Sequence, residues 1–277
     1  MLHGNNLALA DYHIHPDFSI DARGSIDDYC RAAIDKGLAE ICFTTHYDSN
    51  PKAPQSDGMI RIDGTKVPLS FEAIGRYADA VAGASEKYSP EGLEVQCGIE
   101  VGYYPGCEEL IVELFNKFPF HYKLGAIHDI GDICLCCEHL FKNCFSRLSL
   151  EDMADKYFGL VAKAVNSGLF DAIAHLDVYK KYGMRYYGDA ILTIHRGRVE
   201  PILTLMAANG VGVELNTSAL RKGHSEYYPS MEIVNLARNA GVHIAALGSD
   251  AHTPADVGFD FDSAATIAYE LFPYCDE

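Results

Sequence analysis

The sequence predicts an α/β protein, a single parallel barrel of strand and helix units, and two observations carry that prediction. Short apolar runs alternate with longer amphipathic stretches from one end of the chain to the other, the pattern of repeated β/α units around a parallel sheet. At 277 residues the chain also has the length that such barrels occupy as one unit. No linker divides it and no repeat of fixed period runs through it, so one domain over residues 1–277 is expected.

Taken in order, the predicted strands lie near Leu7 to Ile14, Glu40 to Thr44, Leu93 to Ile99, Tyr122 to Ile127, Asp171 to Ala174, Val211 to Leu215 and His243 to Leu247. Helices fill the gaps. Ser25 followed by Asp28, and Ser149 followed by Asp152, place a hydroxyl cap three residues before an acid. After the first cap, Ile26, Cys30, Ala33 and Ile34 form an apolar stripe at helical spacing, which belongs in a core. From Asn50 to Pro68 the chain is rich in Pro, Gly and Asp with little periodicity, and it reads as a long loop able to cover a site.

Hydrophobic residues make up 48% of the chain and charged ones 22%, an ordinary globular composition. The sequence shows neither a basic leader nor a long apolar run, so the expected location is cytoplasmic, with no membrane partner. Nine cysteines in that setting are expected as reduced thiols, and the local cluster Cys134, Cys136, Cys137 and Cys144 as a loop with free thiols. A net charge of −17 disfavours contact with nucleic acid or anionic membrane. It would also repel any small anion unless something local reverses the sign.

The chemistry-bearing residues sit at predicted strand ends. In Asp11-Tyr12-His13-Ile14-His15, strand alternation puts Asp11, His13 and His15 on one face. An H-x-H alone is weak evidence in a chain with 12 histidines. Nearly every other strand, however, also ends in a metal-ligand type: His46, Glu100, His128, His175, and then Asp250 and His252 in Gly248-Ser249-Asp250-Ala251-His252. In a parallel barrel the carboxyl ends of the strands share one rim, so these residues should converge. A single tetrahedral zinc takes three or four ligands, so a set this large implies a multinuclear site. Without cations, so many imidazoles and acids packed together would be costly. His3, His121, His139, His195, His224 and His243 lie away from these ends and are expected to be ordinary structural or surface residues.

The ordered motifs D-x-H-x-H, T-x-H, G-x-E-x-G-Y, G-x-x-H, A-H-L-D and G-S-D-A-H, from Asp11 to about Gly258, resemble the polymerase and histidinol phosphatase (PHP) superfamily. Gly98 to Tyr103 and Glu214 to Gly223 look most like the histidinol-phosphate phosphatases within it. The resemblance implies a distorted (β/α)7 TIM-like barrel of the PHP fold holding three divalent metal ions (zinc, manganese or iron). It implies that His13, His15, Glu100 and Asp250 bind the first ion, and that Glu100 bridges to a second held by His128 and His175. Asp21, His46 and His252 would bind the third. By residue type alone, Asp21 reads equally as a solvated loop acid. Arg221 matches a phosphate-contact position. Where relatives usually carry arginines after A-H-L-D, this chain has Lys180 and Lys181, followed by Arg185. Lysine offers charge without the two-pronged geometry of guanidinium.

The expected activity is hydrolysis of a small phosphomonoester, with L-histidinol phosphate as the leading substrate. Three divalent ions against three carboxylates leave a local excess of about +3, which answers the repulsion problem. Attack by a metal-activated hydroxide near Glu100 is expected, since no Cys-x5-Arg or other covalent nucleophile stands out. Arg221, Asp250 and His252 are the candidate catalytic residues, and Arg221, Lys181 and Arg185 the candidate substrate contacts. The rivals are a different small phosphoester or nucleotide substrate, a nucleic-acid phosphodiesterase, which the acidic charge disfavours, and a non-catalytic metal-binding domain.

Overall fold

The structure, a computed structural model, describes residues 9–53 and 58–272. Seven strands form the barrel: β1 (Ala10–Ile14), β2 (Glu40–Phe43), β3 (Glu94–Gly102), β4 (Tyr122–Ala126), β5 (Ala172–Ile173), β6 (Gly212–Asn216) and β7 (Ile244–Gly248). They pair in chain order and all in parallel. Each parallel step needs a crossover, and helices supply it. In order these are α1 (Ile26–Asp35), α2 (Phe71–Tyr88), α3 (Glu108–Lys117), α4 (Phe141–Phe145), α5 (Leu150–Asn166), α6 (Lys180–Tyr187), α7 (Val199–Asn209), α8 (Ser218–Arg221), α9 (Met231–Asn239) and α10 (Phe261–Leu271). No helix among the described residues is long and apolar enough to cross a membrane.

The ring is nearly closed between its two ends. Ile14 bridges Ala251, the His15 N–H donates to the Ala251 carbonyl at 2.9 Å, and the Ala251 N–H donates back to His13 at 3.3 Å. Both predicted helix caps are present: Ser25 and Asp28 form a reciprocal capping box, and Ser149 accepts from the Asp152 N–H. Of the predicted stripe, Ile26, Cys30 and Ala33 are buried.

Alternation along the strands sorts residues into two environments. Ile41, Phe43, Ile99, Val101, Val213 and Leu215 pack outward against the helices, and Tyr12, Cys42, Tyr122, Leu124, Ala126, Ala172 and Ala174 fill the barrel interior. Above this apolar plug the inward positions turn polar, and the functional residues lie there.

Three expectations are corrected. A register shift between Asp11 and Ile14 breaks the alternation, so Asp11 does not share a destination with His13 and His15. Its carboxylate instead accepts from the Ser249 N–H at 3.0 Å and the Gly258 N–H at 2.8 Å, fastening the last loop to the first strand. The segment from Asn50 to Pro68 is not simply a loop, for it holds a hairpin of Met59–Ile62 with Thr65–Pro68. Its turn is Asp63-Gly64, both at positive φ (50° and 77°), a two-residue connection that matches strand twist. Pro54 to Asp57, and Leu7 and Ala8 of the first predicted strand, lie outside the described residues. Finally, Cys134 and Cys137 are joined by a disulfide, while Cys136 and Cys144 are free. The hairpin Asp129–Ile130 with Ile133–Cys134 folds back so that Leu135 donates to the His128 carbonyl, and the Cα atoms of the two cysteines come within 5.8 Å.

Candidate metal centre

Glu100 stands at the middle of the rim. It is inward-facing near the end of β3, fully buried, and its two carboxylate oxygens look in different directions. Oε2 lies 2.8 Å from His46 Nδ1, 3.4 Å from His13 Nε2 and 3.5 Å from His15 Nε2. Oε1 lies 3.0 Å from His175 Nε2 and 3.3 Å from His128 Nε2. Asp250 Oδ1 closes the first group, 3.5 Å from His15 and 3.9 Å from His13. Further out, Asp21 Oδ2 is 3.2 Å from His252 Nε2 and 3.8 Å from His46 Nε2. All nine candidate ligands therefore meet on one rim, from β1, β2, β3, β4, β5, β7 and their following loops.

Backbone and neighbours aim these groups. His175 and Asp250 take positive φ (29° and 50°), uncommon for residues with a side chain and costly enough to need support. Glu214, which the sequence reading quoted in a motif without a role, supplies some of that support from the inner face of β6. His13 Nδ1–H donates to Glu214 Oε1 at 2.6 Å, and Oε2 accepts from the His175 N–H at 2.8 Å and from Asn216 at 3.1 Å. Holding the proton on Nδ1 leaves His13 Nε2 free to coordinate. Asp48, which the sequence reading passed over, does the same for His128, accepting from Nδ1 at 3.0 Å. Both carboxylates need space that a side chain would fill. A Cβ on Gly248 would fall 1.9 Å from Glu214 Oε1, and one on Gly102 would fall 2.0 Å from Asp48 Oδ1.

The electrostatics suit ligation. Burial alone would raise the Glu100 carboxyl, but the charges of His13, His128 and His46 outweigh it and hold the group well below the usual range. Asp250 is held down likewise, against burial, by Lys222 and His15. Burial and then the neighbouring His46 and His252 push His15 down, so it is neutral with a lone pair available.

No ion is part of the structure, and the donor set tests whether one fits. Among the described residues, three groups have ligand atoms within 4.8 Å of one another: His13, His15 and Glu100; His46, Glu100 and His128; and His15, His46 and His252. At their centre the buried atoms His13 Nε2, His15 Nε2, His46 Nδ1 and Glu100 Oε2 have no hydrogen-bond partner. Buried polar atoms that converge without hydrogen-bond partners are costly, and a cation that displaces the ring protons would satisfy them all. The mixture of imidazole and carboxylate suits zinc, manganese or iron.

The candidate substrate residues are distributed unevenly. Lys181, Arg185, Arg221 and Lys222 line a cavity of about 620 Å³ that reaches Asp21, Asp250 and His252. Lys181 also borders the cavity over His46, His128 and His175. Lys180 turns away, its amine bound to the buried Asp177 at 2.5 Å, and Asp177 also accepts from the Ser230 N–H. Arg185 is half exposed, paired with Glu138 and lying over the Phe141 ring. Arg221 spends donors on the Ser249 carbonyl (2.6 Å) and the Asp250 carbonyl (3.0 Å), so it also fixes the peptide that carries Asp250.

Known proteins match this arrangement over most of the chain. The family model described as the PHP domain matches residues 11–218. A protein of Deinococcus radiodurans named "Probable histidinol-phosphatase" is 30% identical over 92% of this chain and 91% of its own length. The Bacillus subtilis "Histidinol-phosphatase" is 26% identical over 91% of this chain and 97% of its own. Among solved structures, the histidinol phosphate phosphatase of Lactococcus lactis, complexed with zinc, L-histidinol and phosphate, superposes with a TM-score of 0.75 at 20% identity, covering 96% of this chain and 94% of that one. With the family model spanning β1 to the start of α8 and every expected ligand position gathered at the rim, the chain belongs to the PHP domain family.

Proposed function

We propose that this chain, as one domain, is a metal-dependent phosphomonoesterase that hydrolyses L-histidinol phosphate to L-histidinol and phosphate. The observation that carries the reading is Glu100, whose two oxygens address separate histidine groups beside a cavity lined by basic side chains. The names of the relatives, and the histidinol and phosphate in the Lactococcus lactis structure, support the substrate.

The residues present would hold three divalent cations. His13, His15, Glu100 and Asp250 would hold one, Glu100, His128 and His175 a second, and Asp21, His46 and His252 a third. Such ions would lower the pKa of bound water toward about 7 and would offset charge on phosphoryl oxygens. The chain's own residues do the rest. Glu214 and Asp48 keep the ring protons of His13 and His128 on Nδ1. Lys181, with Lys222 and Arg221, draws the phosphate in and balances charge on its equatorial oxygens. Arg185, paired outward with Glu138, adds longer-range attraction at the cavity mouth. Asp250 and His252 line the same cavity as Lys181, Arg221 and Lys222, so groups that would hold cations border the space for the phosphoester. A cavity of about 620 Å³ suits a small monoester better than a nucleic acid strand, in line with the net charge of −17.

Phosphate release with manganese or zinc tests the reading. Histidinol phosphate should turn over far faster than nucleotides or sugar phosphates. Equal or slower turnover would transfer the assignment to another small phosphomonoester.

A further inference from the structure

We propose that Arg61 is a positioning residue for the outer cation site, acting through the backbone of the loop that carries Asp21. Arg61 lies on the first strand of the hairpin Met59–Ile62, forty residues from that loop, and its guanidinium sits within the loop's curve. Nη1 shares its two protons among the carbonyls of Asp17 (2.7 Å), Ala22 (3.0 Å) and Ser19 (3.1 Å), and Nη2 donates to that of Ile20 (2.6 Å). The Arg61 N–H adds a fifth tie, to the Phe18 carbonyl at 2.8 Å. Five of the six residues from Asp17 to Ala22 thus point their carbonyls at one residue, and the sixth is Asp21.

The loop is also tied by the Arg23 N–H to the His252 carbonyl at 2.9 Å and by the Asp17 N–H to the Gly24 carbonyl at 3.0 Å, but the arc before Asp21 converges on Arg61. The Asp21 side chain is 55% exposed, and its neighbours are the imidazoles of His252 and His46 that would share its cation. Where a buried ligand such as His13 is aimed by a carboxylate behind it, Asp21 has only its backbone. Ser19, in the same arc, gives a second anchor: its hydroxyl is 2.8 Å from Thr45 Oγ1 and accepts from the His46 N–H at 3.3 Å, so the arc is registered against the strand end bearing His46. The hairpin also meets the cavity, since Gly58 and Met59 line it beside His46 and Asp48. A planar fork with five N–H groups can satisfy four converging carbonyls, whereas a lysine ammonium has three protons and no fork. Removing the guanidinium leaves those carbonyls without a donor and frees the arc to relax.

The inference rests on the three-cation reading, and metal counting separates the two. Protein stripped of metal with a chelator that is then removed is titrated with manganese at equilibrium, and bound metal is measured by elemental analysis for wild type, Arg61→Lys, Arg61→Met and Asp21→Asn. Wild type should bind three equivalents. Arg61→Met and Asp21→Asn should bind two with unchanged affinity and the third at least tenfold more weakly, with Arg61→Lys in between. The melting temperature of each metal-free variant reports folding, and Arg61→Lys, which keeps stem and charge, decides the matter should Arg61→Met not fold. Three equivalents at wild-type affinity in Arg61→Lys and Arg61→Met, or equal weakening of all three, would overturn the role of Arg61. Fewer than three in the wild type would instead overturn the reading of the site.

Discussion

The inner and outer halves of the metal centre are held in place by different means. His13, His15 and Glu100 are fully buried, and a strand-borne carboxylate, Glu214, fixes the ring of His13 from below. His46, His252 and Asp21 have side chains 20%, 26% and 55% exposed, and their geometry depends on loops fastened by Arg61, Ser19 and Asp11. Depth decides the method. Inside the barrel every inward position already points at the axis, so one well-placed carboxylate is enough. At the mouth, alternation has ended and the backbone itself must be pinned.

Substitutions should separate these halves. The largest effect is expected from Glu100→Ala, which removes the group shared by two histidine sets. Two cations should be lost together, and phosphate release should fall by about a thousandfold or more, as several kcal/mol of transition-state stabilisation disappears. Retention of full metal content would break the comparison at its centre. A smaller effect is expected from Glu214→Gln, which preserves shape but weakens the hold on His13. Affinity for inner cations should drop about 10–100-fold. Outer-site affinity should be unaffected, and equal losses at both would mean the halves are not separate.

The smallest effect is a pH dependence of the metal-free protein. Burial would lower His46, but Glu100 and Asp21 outweigh it and raise the group from 6.5 to about 9. A raised histidine contributes stability that is fully present below 6.5 and lost as pH climbs through about 9. Calorimetry of the metal-free protein should therefore show a falling melting temperature over that window. The metal-saturated protein, whose imidazoles bind neutral, should not follow it. His13 and His128 are raised in the same direction, so parallel curves for the two forms would contradict the assignment of these rim histidines, His46 among them, as ligands.

The sequence disclosed what depends on strand order and alternation, and concealed what depends on tertiary reach. Seven strands and their rim of ligands were legible because a parallel barrel turns a list of strand ends into a circle, so His13, Glu100, His128 and His175 could be placed together without knowing any contact. Glu214 and Asp48 were not singled out, since their roles require knowing which histidine each faces. An inward acid two residues before Asn216, or two after His46, is the signal that was available. The bulge that diverts Asp11 leaves no mark in composition. The hairpin bearing Arg61 did leave one: Asp63-Gly64 between Met59-Ile60-Arg61-Ile62 and Thr65-Lys66-Val67 is a two-residue turn signal, masked by the surrounding Pro and Gly. The Cys134–Cys137 disulfide depends on the turn that brings the two residues together, which cysteine count and spacing do not mark.

Diffraction from crystals grown with manganese, measured for anomalous scattering, tests the central claim most directly. The account predicts one peak among His13, His15, Asp250 and Glu100, a second among Glu100, His128 and His175, and a third beside Asp21, His46 and His252. A single peak, or peaks that leave Glu100 uncoordinated, would contradict it.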